Sequence, residues 1–478
     1  MSIHNAKNTC LSCPAMKREV LVPSTVEGLV PSTVQCRRRP SLQPFDPSSV
    51  TFDQCPEWQK TDYGYLLKKM RVVILGIDGY LGWSLALKLA KLGCEVSGID
   101  NFARRRWVKE QGSYSMVPIL SMKERIQAAR KQLGVQIRFF KMNMLDHVRL
   151  KSIFKKIQPE AVVHYGENPS GPYSMKDVAH AVSVQHNNVI GTLGLLFVMK
   201  DVCPESSLIK LGTMGEYGTP MSGRPIFEGY FPNDATLKWQ DHEWSLGAEL
   251  TPRDPGSFYH ISKVQDTINI HKACKFWNLR SVDVMQGVIY GVHTDETASN
   301  DKLRTRFDTD ECFGTVVNRM VAQAVIDFPL TVYGKGEQIR GFIALSDAMQ
   351  CMTRILTKPP LAGQYAVVNQ LSESYSMQQI AAMVAKVGKE KFQIDVKIQY
   401  LENPRVEAAK HPYIPMHSKL KEDYGFIEQG EIEEEIERMF TLLLQPKIKK
   451  RIEAKRDLIL PSTWWSGNKR PVRELNSK

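Results

Sequence analysis

No stretch of about eighteen consecutive apolar residues occurs in the 478-residue chain, so a membrane-spanning helix is not expected. The opening residues, Met1-Ser-Ile-His-Asn-Ala-Lys7, lack the apolar segment of a secretory signal. Residues 1 to 41 are rich in hydroxyl side chains and poor in acids, as transit peptides are, but Glu19, Glu27 and a weak amphipathic pattern count against one. The expected location is the cytoplasm, with a plastid as the alternative if residues 1–65 act as a transit peptide. A disulfide framework is missing too: the nine cysteines are odd in number and scattered, the usage of a reducing compartment. Cys10-Leu-Ser-Cys13, with Cys36 and Cys55 beyond it, supplies one of the two C-x-x-C pairs of a zinc site, so no metal is expected. Nor is there a basic groove. The formal charge is +12, yet residues 447–478 carry ten Lys or Arg against three acids and residues 1–60 seven against five, which leaves the rest nearly neutral and argues against a nucleic-acid partner.

What is present is a large globular core, with 42% hydrophobic and 9% aromatic residues over a length that reads as two lobes plus tails. Residues 1–65 hold Pro23, Pro31, Pro40, Pro44, Pro47 and Pro56 and the near-repeat Val22-Pro-Ser-Thr-Val26 and Val30-Pro-Ser-Thr-Val34, the pattern of a disordered or loosely docked extension. Strand-like runs follow at Arg71 to Gly76, Glu95 to Asp100, Ile137 to Asn143, Ala161 to Gly166, Ser207 to Thr213 and Ser281 to Gly287, alternating with helical patterns. That alternation predicts an α/β fold, a doubly wound parallel sheet over 66–290. The proline- and tryptophan-containing stretch 217–256 is too long for an ordinary loop and reads as a lid or substrate insertion. Residues 291–445 are expected to form a smaller substrate-binding lobe, with helices at Phe313 to Asp327, Leu345 to Thr357, Ser376 to Val387 and Glu431 to Leu444. Its strand at 364–369 returns to the sheet edge, and 446–478 is a basic tail.

The first strand ends in Gly76-Ile-Asp-Gly79-Tyr-Leu-Gly82, glycines that let a backbone approach a pyrophosphate at a helix N-terminus. About twenty residues on, the second strand ends in Asp100, whose carboxylate suits two ribose hydroxyls and repels a 2′-phosphate, so NAD is favoured over NADP. Arg104, Arg105 and Arg106 follow. Further along, Tyr259-His-Ile-Ser-Lys263 places a phenol and an ammonium one helical turn apart, an arrangement that lowers the phenol's pKa and makes a base for a substrate hydroxyl. It comes after a strand ending Leu211-Gly-Thr213-Met-Gly-Glu216-Tyr-Gly218, where Thr213 can share that hydroxyl.

These motifs, in this order, resemble the extended short-chain dehydrogenase/reductase family, and within it the UDP-sulfoquinovose synthases. The narrower likeness rests on Val163-His-Tyr-Gly-Glu167, Gly171-Pro-Tyr-Ser-Met175, Gln185-His-Asn-Asn-Val-Ile-Gly-Thr192, Lys210-Leu-Gly-Thr-Met-Gly-Glu-Tyr-Gly-Thr-Pro220, Phe258 to Val264, Gln286-Gly-Val-Ile-Tyr-Gly291, Thr331-Val-Tyr-Gly-Lys-Gly336 and Asn403-Pro-Arg-Val-Glu407. The resemblance implies a Rossmann-like fold, NAD as cofactor, UDP-glucose and sulfite as substrates, and a homodimer. It implies oxidation at C4 of the sugar, loss of water across C5 and C6, addition of sulfite, and re-reduction at C4. Thr213, Tyr259 and Lys263 would serve the first step, and Glu216 and His260 the proton traffic. Gly76, Asp78, Gly79, Tyr80, Leu81, Gly82, Asp100, Asn101, Arg104, Asn143, Met144, Asn187 and Val288 would line NAD, together with Tyr259 and Lys263. Gln286 would reach the sugar, Asn318, Thr331, Val332 and Tyr333 the uridine, and Arg340 and Arg405 the diphosphate.

One position departs from the pattern. Where it reads Gly-Glu-Gln-Arg-Ser, this chain has Gly166-Glu167-Asn168-Pro169-Ser170, and proline supplies neither charge nor donor. Arg224, Lys238 and Arg253 of the insertion are candidates to replace the cation. The alternatives are a UDP-sugar 4-epimerase or 4,6-dehydratase, although a dehydratase places Asp-Glu where Met214 and Gly215 stand, and a catalytically retired NAD-binding scaffold.

Overall fold

The computed structural model describes residues 64–218, 223–403 and 412–459. The proline-rich extension, Cys10, Cys13, Arg405 and residues 460–478 lie outside them. The described residues from Leu66 to Ile459 form one compact unit.

Seven parallel strands make the central sheet: β1 (Arg71–Leu75), β2 (Glu95–Asp100), β3 (Ile137–Lys141), β4 (Ala161–His164), β5 (Ser207–Thr213), β6 (Arg280–Gln286) and β7 (Tyr365–Gln370), in the order β7-β6-β5-β4-β1-β2-β3. Each expected strand is found, and the late one returns to the edge beside β6 with Asn369 opposite Met285. Alternation along β1 shows why the sheet is buried on both faces. Val72 and Ile74 pack with Trp83 and Leu87 of α1 (Tyr80–Lys91), α3 (Met122–Leu133) and α7 (Leu345–Thr357). Val73 and Leu75 pack with α4 (His147–Ile157), α5 (Gly191–Val202) and α6 (Phe258–Trp277). A further short helix, α2 (Ala103–Glu110), follows β2. The order reverses direction between β1 and β4, so their C-terminal ends open a crevice, the usual ligand position in such sheets.

The second lobe has its own core, with Val317, Met320, Val321, Ile380, Val384, Met439 and Phe440 among its buried residues. It carries a small sheet of Val288–Tyr290, Ile339–Ala344 and Glu373–Ser376 and the parallel pair Leu330–Tyr333 and Ile398–Leu401. The insertion is cinched at its base. Gly218 has a φ of +65°, and a Cβ there would stand 2.0 Å from the Asp254 carbonyl oxygen, so only glycine lets the two roots meet. Beyond the neck it carries an exposed hairpin, Thr236–Trp239 with His242–Ser245.

The C-terminal segment differs from expectation. Residues 446 to 459 are not a solvated basic tail: Pro446–Glu453 is a helix whose Ile448 and Ile452 are buried in the second core, while Arg451 donates to the Ser115 and Met116 carbonyls. Basic residues on one face masked apolar ones at helical spacing. No helix among the described residues is long and apolar enough to cross a membrane.

Candidate active site

A cavity of about 870 Å³ runs along the C-terminal ends of β1, β2, β4 and β5 and up to the second lobe. Its first wall begins at the glycine turn. Gly76 has a φ of +82°, and a Cβ on it would lie 2.5 Å from the Tyr165 carbonyl; one on Gly82 would lie 2.2 Å from the Gly76 carbonyl, which seats α1 tightly on the turn. Gly79 caps α1 without a side-chain bond, so the first-turn amides of Tyr80 and Leu81 have no acceptor within the helix, and both residues line the cavity. Asp100 is held by the Asp78 amide at 2.8 Å and the Phe102 amide at 2.6 Å. Burial, with Asp78 nearby, pushes its carboxyl up to about 6.

Asn101, Arg104, Met144, Asn187 and Val288 also line this part. The Arg104 guanidinium lies over the Phe313 ring and pairs with Asp308 at 2.9 Å. Two expected ligands point elsewhere. The Asp78 carboxylate is buried under α1, gripped by both Arg105 nitrogens at 2.7 Å and by Arg125 at 3.1 Å, so only its amide serves this corner. Asn143 is exposed and closes a turn onto the Leu145 amide, leaving Met142 and Met144 as the lining.

The chemistry-bearing row lies where β5 meets α6. Ser257 caps α6 by accepting from the His260 amide, which sets Tyr259, His260 and Lys263 on the cavity side of its first turns. The Thr213 hydroxyl lowers the Tyr259 phenol's pKa against the effect of burial, and the His260 ring lies 4.9 Å from the Tyr259 ring. His260 receives or gives a bond at Ser257 through Nδ1 at 2.9 Å, and its Nε2 edge packs on Gly215. Burial holds the Tyr259 phenol well above its ordinary pKa, which favours its neutral form, and lowers Lys263 to about 8, which leaves it mostly a cation at neutral pH. The expected lysine–phenol contact is not formed. Lys263 Nζ is 6.0 Å from the ring centre, and it donates to the Leu211 carbonyl at 2.6 Å and pairs with Glu167.

Glu216 stands behind this row rather than in it. Its Oε1 accepts from Lys210 at 3.1 Å and from the Thr213 amide at 3.3 Å, and Oε2 accepts from Thr267 at 2.9 Å, with no surface exposed. A capping box on the turn after β5 folds the side chain inward, which the spacing Thr-x-x-Glu already encodes.

The loop after β4 is locked at every residue but one. Glu167 meets Lys263, Thr192 and His164; the Asn188 side chain accepts from the Asn168 backbone amide and donates to the Asn168 carbonyl; Ser170 bonds the Cys312 carbonyl and the Tyr173 amide. Pro169 is left facing the cavity. None of the three candidate replacements lines it: Arg224 donates to Pro225, Lys238 pairs with Glu243 on the exposed hairpin, and Arg253 lies 3.9 Å over the Tyr217 ring.

Across the cavity the second lobe presents Thr331, Val332, Tyr333 and Arg340, with Gln286 between the lobes bonded to Gln370 at 3.0 Å. Asn318 turns away to hold the Gly291 amide at 3.1 Å, while the Tyr80 hydroxyl donates to the Gly291 carbonyl. Its neighbour Arg319, not singled out from the sequence, faces the cavity instead. Helical rotation over Val316–Val325 was the available signal, since Val317 and Val321 claim the core face.

The profile of the NAD dependent epimerase/dehydratase family matches residues 72–369. The UDP-sulfoquinovose synthase of Sulfolobus acidocaldarius is 43% identical over 396 residues, covering 83% of this chain and 98% of that protein. The chloroplastic UDP-sulfoquinovose synthase of Spinacia oleracea is 43% identical over 354 residues, 74% of this chain and 71% of that one. Among solved structures, the UDP-glucuronic acid 4-epimerase of Bacillus cereus, in complex with UDP-glucuronic acid and NAD, superposes with a TM-score of 0.56 at 19% identity, covering 80% of this chain and 99% of that chain. The chain belongs to the NAD dependent epimerase/dehydratase family.

Proposed function

We propose that this family member converts UDP-glucose and sulfite to UDP-6-sulfoquinovose. The observation that carries the reading is one cavity with Thr213, Tyr259, His260 and Lys263 on one wall and Thr331, Tyr333, Arg319 and Arg340 on the other, in a chain whose 43%-identical relatives are synthases of that product. The glycine turn, Asp100, Asn101 and Arg104 fit a dinucleotide: bare amides for the pyrophosphate and a carboxylate for the ribose. NAD bound there supplies a reversible hydride acceptor for C4 of the sugar.

The chain's own residues then divide the work. Thr213 orients the C4 hydroxyl and Tyr259 takes its proton, with Lys263 as the nearby cation. A ketone at C4 makes the C5 proton acidic. His260 moves that proton to the departing C6 hydroxyl, so water leaves and a C5–C6 alkene remains. Hydrogensulfite sulfur adds at C6 while its proton passes through His260 to C5, and Tyr259 reprotonates the C4 oxygen. Arg340 and Arg319 suit the diphosphate, whose oxygens take two parallel donors. With Pro169 at the expected arginine position, sulfite charge falls to the cations that line the cavity.

Purified protein incubated with UDP-glucose, with and without sulfite, tests this by mass spectrometry of the nucleotide sugar. A sulfonated product that requires sulfite supports it. UDP-galactose, or a 4-keto-6-deoxy sugar whether or not sulfite is added, overturns it.

A homodimer is part of the proposal. Val178, Val182, Leu193 and Phe197 before and along α5, and Phe258, Ile268 and Phe276 on α6, are exposed apolar residues on the helices flanking Tyr259, and a second copy would cover them. Light scattering distinguishes dimer from monomer. A reducing compartment, cytoplasm or plastid, accords with Cys94, Cys203, Cys274, Cys312 and Cys351, all buried and unpaired by disulfide. A fluorescent fusion of the full chain tells the two apart.

A further inference from the structure

Lys210 has no place in the chemistry above, yet it is the most heavily engaged side chain near it. It lies on β5 one turn of pleat before the reacting end and is wholly buried. Its ammonium reaches four acceptors: Glu216 Oε1 at 3.1 Å, the Lys263 carbonyl at 3.0 Å, Thr267 Oγ1 at 3.0 Å and Asp283 Oδ2 at 3.2 Å. Three protons serve four acceptors, so one is shared. Each bond leads somewhere. Glu216 carries on to the Thr213 amide, the carbonyl belongs to the turn of α6 that bears Lys263, and Asp283 is tied to the Tyr365 hydroxyl at 2.6 Å on β7. Strand β5 and helix α6 supply the two halves of the reacting row, and this ammonium is bonded to both.

We propose that Lys210 is a positioning residue: it sets Thr213 against the Tyr259–Lys263 turn and, from behind, supplies the positive charge that the Tyr259 phenolate needs. The inference rests on the role proposed for Tyr259. The usual partner is committed elsewhere, since Lys263 is paired with Glu167 and the Leu211 carbonyl. Tyr259 is faced by His260, Lys263 and Asp266 from its own helix, by Lys210 and Thr213 from β5, by Glu216 beyond it, and by Tyr173 and Cys312 on its apolar side. Glu216 and Asp266 oppose the phenolate and Lys210 favours it. Two carboxylates, Glu216 and Asp283, keep Lys210 charged despite its burial.

Lys210→Met tests this, with Lys210→Met/Asp283→Asn in reserve because the single change strands two buried carboxylates. In whichever variant folds and retains NAD, kcat falls about a hundredfold while KM for UDP-glucose stays within about threefold of wild type. The acidic limb of kcat moves to higher pH, because a phenol that has lost a cation ionises later. Asp283→Asn, which keeps Lys210, leaves that limb in place. A second readout needs no turnover: the near-ultraviolet difference titration between each protein and its Tyr259→Phe counterpart isolates one phenol, and its midpoint rises when Lys210 is gone. A kcat within threefold of wild type, an unmoved Tyr259 midpoint, or an equal shift in Asp283→Asn overturns the inference. A wild-type protein that makes no product instead counts against the proposed reaction, and the titration still decides the role of Lys210.

Discussion

The seam between β5 and α6 has a front and a back, and they use the same residue types for opposite ends. In front, Thr213, Tyr259, His260 and Lys263 border the cavity. Behind, Lys210, Glu216, Thr267, Asp283 and Tyr365 bond one another in a closed ring without solvent. A hydroxyl, a lysine and a phenol appear on both sides. What separates them is their surroundings: the cluster behind is closed to water and specifies geometry, and the row in front borders a cavity that a substrate can enter.

Removing the front phenol should have the largest effect. Tyr259→Phe is expected to lower turnover about a thousandfold with NAD content unchanged, measured by product formation and by the absorbance of the released cofactor. Next comes a contrast at Glu216. Glu216→Gln keeps an oxygen for the Thr213 amide and should hold kcat within about threefold, whereas Glu216→Ala removes the acceptor of the Thr213 amide and one of the two carboxylates on Lys210 and should cost about 3 kcal/mol in urea unfolding. A loss in Glu216→Gln as deep as that in Tyr259→Phe would move Glu216 to the front row and erase the distinction.

Across the cavity the effects should be smaller and fall on binding. Arg340→Ala and Arg319→Ala are each expected to raise KM for UDP-glucose about tenfold with little change in kcat, and Lys at either site should restore only part, lacking the planar fork. The smallest effect concerns pH. Asp100 titrates near 6 in the fold against an ordinary 3.8. The folded chain therefore holds this proton more tightly, and the stability it contributes at low pH is lost as pH rises from about 4 to 6. Ribose hydroxyls bind the carboxylate better than the neutral acid, which can still accept one bond, so NAD affinity, followed by calorimetry, should weaken about threefold from pH 7 to pH 5.

The same front-and-back distinction explains what could be read from the residues alone. Backbone devices were legible: the turn at Gly76, Gly79 and Gly82 requires glycine for steric reasons that leave a spacing in the chain, and the strand from Arg71 to Leu75 is apolar because both its faces are buried. Tyr259 and Lys263 were legible as cavity residues for the same reason, one helical turn being a fixed distance. Direction was harder. Asp78, Asn143, Glu216 and Asn318 sit at the expected places along the chain but turn away, three of them claimed by partners elsewhere: Arg105 and Arg125 for Asp78, Lys210 and Thr267 for Glu216, the Gly291 amide for Asn318. Asn143 bonds its own turn instead. A sequence shows which residues can bond and not which partner a distant strand will bring. Ile448 and Ile452 escaped notice for a related reason, two apolar residues among lysines that only a neighbouring core reveals as a face.

Deuterium incorporation is the most direct test of the claim that the front row carries the chemistry. UDP-glucose is incubated with the enzyme in deuterium oxide without sulfite, recovered, and mapped by proton NMR. The account predicts label at C5 with the wild-type protein, little or none with Tyr259→Phe, and wild-type labelling with Glu216→Gln. A wild-type enzyme that forms product yet leaves C5 unlabelled, or labelling that survives in Tyr259→Phe and disappears in Glu216→Gln, would contradict it.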